Sequence, residues 1–180
     1  MTKPGTAPAT DRRPLSEVAR HVVAPDGIKS TEWPSVRDTC RRLGWGFDGW
    51  QHGAGKLILS KRADGTYAAD TTVISIPRQA GKTYLIACII FALCLLKPGI
   101  TVIWTAHRKT TARETFDQFD GMAKRPKVAP HVRQVTEVPR YQIIDLVKRC
   151  NRYVQRIGDV LTMKDTARDV TLGEYRCFFR

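Results

Sequence analysis

TTVISIPRQAGKTYLIACIIFALCLL, residues 71–96, is the stretch whose reading decides the fold. Thr71 to Ile76 is almost wholly β-branched, which predicts a buried strand. Leu85 to Leu96 is an unbroken apolar run of twelve residues, well short of the roughly 20 that a membrane-spanning helix needs, and it predicts a buried helix. Between them, Ile76-Pro77-Arg78-Gln79-Ala80-Gly81-Lys82-Thr83 matches the phosphate-loop pattern G-x-x-x-x-G-K-[ST], with Ile76 in place of the first glycine. Strand, loop and helix in this order are the context the pattern requires.

The chemistry explains the residue types. Glycine at 81 lets successive backbone N–H groups turn toward phosphate oxygens at a helix N-terminus, whose dipole favours anions. Lys82 is expected to bridge the β- and γ-phosphates of ATP, and Arg78 to reach the γ-phosphate. Gln79 and Ala80 would complete the loop around the phosphates, and the Thr83 hydroxyl would bind Mg²⁺. The bland alternative is a chance GKT at a turn before a helix.

Downstream, Lys97-Pro98-Gly99 breaks the helix, and Ile100 to Thr105 predicts a second buried strand of the kind parallel sheets use, joined to the first by a right-handed crossover. Thr110 to Ala123 predicts a helix with Phe116 and Phe119 on one face. The basic connector KRPKVAPHVR follows (residues 124–133), after which no third strong strand is apparent. Ile143, Val147, Cys150, Val154 and Ile157 fall on one helical stripe, which predicts an amphipathic basic helix over Tyr141 to Ile157.

Upstream, Pro34 to Leu43 predicts a short helix ended by Gly44. GWGFDGWQHGAG (residues 44–55) mixes glycines and aromatics too irregularly for either period and reads as a structured loop. Leu57 to Lys61 and Thr66 to Ala69 flank an Arg-Ala-Asp-Gly turn, a hairpin signal. Residues 1 to about 25 suit a mobile arm or peripheral strap.

The charge balance is strongly basic: 30 Lys+Arg oppose 17 Asp+Glu, a net +13. Such an excess points to a polyanionic partner, or else to a solubilising surface. Hydrophobic residues are 42% of the chain, which excludes disorder throughout. The five cysteines show no CxxC spacing, so zinc and a disulfide framework are not expected, and with no apolar leader a reducing cytoplasmic setting is.

PRQAGKT after an apolar strand resembles the Walker A variant of tailed-phage terminase large subunits. The likeness extends over PDGIKSTEWPSVRDTCRRLG, FDGWQ and the run from LILSKRADGTY to FDQFDGMAKR, about residues 25 to 132, in the order seen in actinobacteriophage terminases. The resemblance implies an α/β, P-loop NTPase-like fold: a partial parallel sheet with flanking helices, plus a C-terminal basic helix. It divides the chain into an arm (1–25), a partial ATPase domain (26–132) and a basic tail (133–180). It also implies that Gln51 contacts adenine beside Trp50, that Arg78 is the motif's arginine, and that Thr105 to His107 couples the ATPase core to DNA movement. Arg108, Lys109, Lys124, Arg125, Arg149 and Arg152 are the candidate DNA contacts. Double-stranded DNA, a terminase small subunit, a portal protein and further copies of the chain are the implied partners, with no membrane, in the host cytoplasm.

Gln51 reads equally well as a solvated loop residue, and Trp45, Phe47 and Trp50 as core rather than stacking groups. An apolar strand ending in Asp-Glu, which such ATPases use to organise Mg²⁺ and water, is not found; Ile143 to Leu146 carries only Asp145. No later carboxylate cluster suggests a nuclease. The expectation is therefore an ATP-binding motor fragment with weak or no turnover. A helicase-like ATPase and a non-catalytic basic DNA-binding protein, using Lys124, Arg125, Lys127, Arg149, Arg152 and Arg156, are the alternatives.

Overall fold

A computed structural model describes residues 12–97, 100–105, 109–138, 141–146, 151–156 and 178–179. Near the N-terminus are α1 (Leu15–Val18), β1 (Ser30–Thr31), α2 (Trp33–Arg42), α3 (Gly49–Ile58) and β2 (Ser60–Lys61). There follow α4 (Lys82–Leu96), β3 (Thr101–Trp104), α5 (Lys109–Ala123), β4 (Val132–Val138), β5 (Tyr141–Leu146), β6 (Asn151–Arg156) and β7 (Phe178–Phe179).

The apolar run forms the central post, as its sequence predicts. Leu85 to Ala92 and Cys94 of α4 are all buried, and a helix apolar on every side is stable only when wrapped on every side. On one flank lies α2, which starts and stops where Pro34 and Gly44 predict; its Val36 and Cys40 are buried and the Cys40 thiol donates to the Cys88 carbonyl at 3.4 Å. On another, Phe119 of α5 stacks on Phe91 at 5.9 Å between ring centroids. Phe116 is buried beside it, as its spacing predicts. Cys40, Cys88 and Cys94 are buried, and burial pushes the Cys40 thiol up to about 12. Among the described residues, no helix is long and apolar enough to cross a membrane.

Where the composition reads as a loop, residues 49–58 are the helix α3. Asp48 caps it in a reciprocal box: its side chain accepts from the N–H of Gln51, and the Gln51 side chain accepts from the N–H of Asp48 at 2.8 Å. Each interior glycine costs a helix about 1 kcal/mol of propensity relative to alanine, so tertiary contact must compensate. It does so through close approach: the Trp33 indole lies flush on Gly55, where a Cβ would stand 2.6 Å from Cδ2. On another side, Leu15 of α1 presses against Gly53, so residues 12–18 of the expected strap are docked on α3. Trp45 and Phe47 are core residues, edge-on to Phe91 and tilted against Trp33 respectively.

The described residues form two sheets. β1 and β2 pair antiparallel, and Tyr67 bridges back to Lys61, so the expected hairpin survives only as a short corner after α3 takes up Leu57 and Ile58. Around this corner, Glu32 accepts hydrogen bonds from Tyr67 Oη and Lys97 Nζ, each at 2.8 Å, and lies 3.1 Å from Lys61 Nζ. One carboxylate thus ties β2 and the end of α4 to the start of α2.

The second sheet has the order β4-β5-β6-β3-β7; β4, β5 and β6 form an antiparallel meander, and β3 runs parallel to both β6 and β7. This corrects four expectations. Strands do follow the connector, and the sheet is mixed rather than parallel. The helix expected over Tyr141 to Ile157 is instead β5 and β6, with residues 147–150 and 157 outside the described set. YQIIDL and NRYVQR are rich in strand-favouring aromatic and β-branched residues, and β6 pairs with β3, Thr101 opposite Arg152. That long-range pairing outweighs a helical stripe that only local spacing suggests. The fourth correction concerns Thr71 to Ile76, which belongs to no strand; Ile74 leans on the core while Val73 is 86% exposed. Among the described residues a P-loop parallel sheet with its right-handed crossover is accordingly not seen, although β3 forms where predicted.

Candidate functional site

The GKT segment is a turn that enters a helix. Pro77, Arg78 and Gln79 are exposed, and Gln79 is the one described non-glycine residue with positive φ, at 62°. Gly81 follows at φ +87° as the residue capping α4, a left-handed conformation natural to glycine. Lys82 is the first residue of α4 and is exposed, while Ala80 and Thr83 are half-buried. The N–H groups of the first turn have no partner within the helix, as at any helix start, and they point out past Gly81. A 15-residue helix stands behind them and aligns its dipole with that opening.

Gln51 reaches this loop from α3. Its Nε2 donates to the Gly81 carbonyl at 3.2 Å, thirty residues away in sequence. That carbonyl also accepts the first helical bond of α4, from Leu85 N–H at 3.0 Å. Trp50 lies alongside, with Cζ2 4.0 Å from where a Gly81 Cβ would sit. The structure therefore brings together Gln51, Trp50, Gly81, Lys82 and Thr83. Gln51 is only 3% exposed, so it is not the solvated loop residue its composition allows.

Behind α3, His52 is held in an aromatic nest of Trp33 and Phe47, and Phe47 in turn touches Tyr84 of α4. The Trp33 Nε1–H donates to His52 Nδ1 at 3.3 Å, which requires that nitrogen to be unprotonated. Burial, with Arg37 and Lys56 nearby, holds the imidazole below its ordinary 6.5. A histidine whose folded pKa is depressed binds its proton more readily in the unfolded chain, so stability falls as pH drops below 6.5. His52→Asn keeps an acceptor and removes the titration. Its melting temperature, measured from pH 7.5 to 5, should fall less steeply than that of the parent.

The expected DNA contacts divide. Arg108 and Arg149 lie outside the described residues, as does His107. Lys109 opens α5, and Arg152 sits on β6 opposite Asp145 of β5, away from the role of a basic helix. Asp145, placed on a helical pattern by its spacing, is thus on a strand. Lys124 and Arg125 follow α5 and are exposed, with Lys124 paired to Asp120. Next to them the Lys127 side chain lies over Gly44, the residue that ends α2 after Arg41 and Arg42. This juxtaposition of two basic segments joins residues too distant in sequence for spacing to reveal.

No family model matches this chain, and no curated protein or solved structure shows significant similarity to it. Among the described residues, no group of three or more His, Cys, Asp or Glu side chains could hold a metal ion.

Proposed function

We propose that residues 76–83 bind the phosphates of a Mg²⁺-nucleoside triphosphate, and that the chain is the ATP-binding part of a DNA-packaging motor of the terminase type. The observation that carries this reading is Gly81. It caps a long buried helix in a left-handed turn, is followed directly by Lys82, and is held from behind by Gln51. The donor set suits the ligand: backbone N–H groups and one mobile ammonium for phosphate, and one hydroxyl, Thr83, for a magnesium ion whose other ligands are phosphate oxygens and water. Bound magnesium would neutralise phosphate charge. Arg78, exposed on the same turn, is available to the outermost phosphate.

Lys82→Ala is the test, with a fluorescent ATP analogue titrated in Mg²⁺. Saturable micromolar binding by the parent and a loss of about tenfold or more in the variant are expected, since charge-assisted contacts to phosphate are among the stronger ones. Equal binding by both proteins, or none by either, removes the reading.

A second reading, a non-catalytic DNA-binding protein, is favoured by the ridge formed by Arg41, Arg42, Lys124, Arg125 and Lys127. These residues also suit the motor, which must grip duplex DNA by phosphates without reading bases. Duplex affinity that falls steeply with salt, in a slope reduced by Lys127→Ala, supports the ridge; a salt-independent affinity removes it. A small subunit, a portal protein and further copies of the chain are the partners this proposal carries, in the host cytoplasm.

A further inference from the structure

The amide of Gln51 is already engaged. Its oxygen accepts from the Asp48 N–H at 2.8 Å, its nitrogen donates to the Gly81 carbonyl at 3.2 Å, and the side chain is 3% exposed. Reading adenine requires a carboxamide that presents donor and acceptor together to a base edge. The amide keeps a second N–H and a second lone pair, but with only 3% of the residue exposed these are closed to a base edge unless the side chain swings out, which would break the cap of α3 and release the loop glycine, leaving buried polar groups unpaired. Trp50 is the neighbouring group with an aromatic face, and stacking on an indole tolerates any base.

We infer that Gln51 is a positioning residue that shapes the phosphate loop through Gly81, and that the site takes Mg²⁺-triphosphates without selecting the base, whose ring packs on Trp50. This rests on the phosphate-binding reading above and departs from the adenine contact that the family resemblance implies. Gln51 acts through the carbonyl that also anchors the first turn of α4, so its loss loosens the loop whatever ligand is offered.

The experiment compares ATP, GTP and base-free tripolyphosphate, all in Mg²⁺, by competition against the fluorescent nucleotide, together with amide exchange at Leu85. The parent should bind ATP and GTP within about threefold of each other. Gln51→Met should weaken all three ligands alike, by about fivefold to tenfold. Trp50→Ala should weaken ATP and GTP and spare tripolyphosphate. Exchange at Leu85 should quicken in Gln51→Met without ligand, while the rest of α4 stays protected. Should Gln51→Met fail to fold, Gln51→Glu keeps an acceptor for Asp48 and loses the donor to Gly81, and exchange at Leu85 reads the same effect.

Weakened ATP binding with GTP and tripolyphosphate unchanged would make Gln51 a base reader and overturn the inference, while leaving the phosphate site intact. Unchanged exchange at Leu85 would also overturn it. A parent that binds none of the three ligands removes the phosphate reading and the ligand claim with it, and the exchange measurement then decides only whether Gln51 shapes the loop.

Discussion

Gly55→Ala should cost the protein about 3 kcal/mol or more, the scale of a substitution that overpacks a buried site. The added methyl would meet the six-membered ring of Trp33, 2.6 Å from Cδ2 and nearer still to Cε3 and Cζ3. Neither side can move aside. Trp33 is 1% exposed and held by Phe47, by His52 and by the hydrogen bond from its own Nε1. On the other side, α3 is fixed by its cap and by α1. Alanine's better helix propensity, about 1 kcal/mol, would work in the opposite direction, so the sign of the result decides between local propensity and packing. Denaturant unfolding of parent and variant measures it. A variant as stable as the parent would show that α3 and α2 are not packed this tightly.

Removal of the carboxylate at Glu32 is expected to be nearly as damaging. Glu32→Ala deprives Lys97, Lys61 and Tyr67 of a shared acceptor while both lysines are about three-quarters buried, with side-chain exposures of 27% and 25%. Cutting one member out of a buried charged cluster costs 3–5 kcal/mol when the site is dry; with the lysines partly open to water, about 2 kcal/mol is the expectation. The cluster also predicts a pH signature. Burial opposes the charge on Glu32 and is the largest single influence, but the hydrogen bonds from Lys97, Tyr67 and Lys61 together outweigh it and hold the carboxyl below its ordinary 4.5. The contribution of a depressed carboxyl is complete above 4.5 and is lost as pH falls through the lower folded value. Between pH 6 and pH 3, the stability gap between parent and Glu32→Ala should therefore narrow. A gap that stays constant would assign the loss to packing around Tyr67 and not to charge.

The elements that the sequence made legible are those whose signals are local. Pro34 and Gly44 bracket α2, the apolar run marks α4, and the Phe116 and Phe119 pair marks the buried face of α5. β3 was visible because ITVIWT is unambiguous. The body of α3 is not legible because its glycines and aromatics have no period, yet its start is written in the sequence: Asp48 and Gln51 have the spacing of a capping box. What no spacing could supply was the reason for the glycines, since Leu15 and Trp33 come from elsewhere in the chain. The helical reading of Tyr141 to Ile157 fails for a related reason. Ile143, Val147 and Val154 fit a helical stripe, and only pairing with β3 and β4 decides for strands. At the candidate site, Gly81, Lys82 and Thr83 were legible as a motif and Gln51 and Trp50 through resemblance. The engagement of the Gln51 amide depends on the backbone of Asp48 and Gly81 and could not be read from residue types.

The thiols sealed between α2 and α4 also make the protein a timekeeper of its own opening. Burial holds Cys40 up at about 12 and Cys88 well above its ordinary value, so neither reacts with an alkylating agent while the two helices remain joined. Each modification event at these positions then records one separation of α2 from the central post. The rate of label uptake at Cys40 and Cys88, followed by mass, counts how often the core breathes. Because the same post carries Gly81 and Lys82 at its exposed end, a ligand seated there should slow that clock.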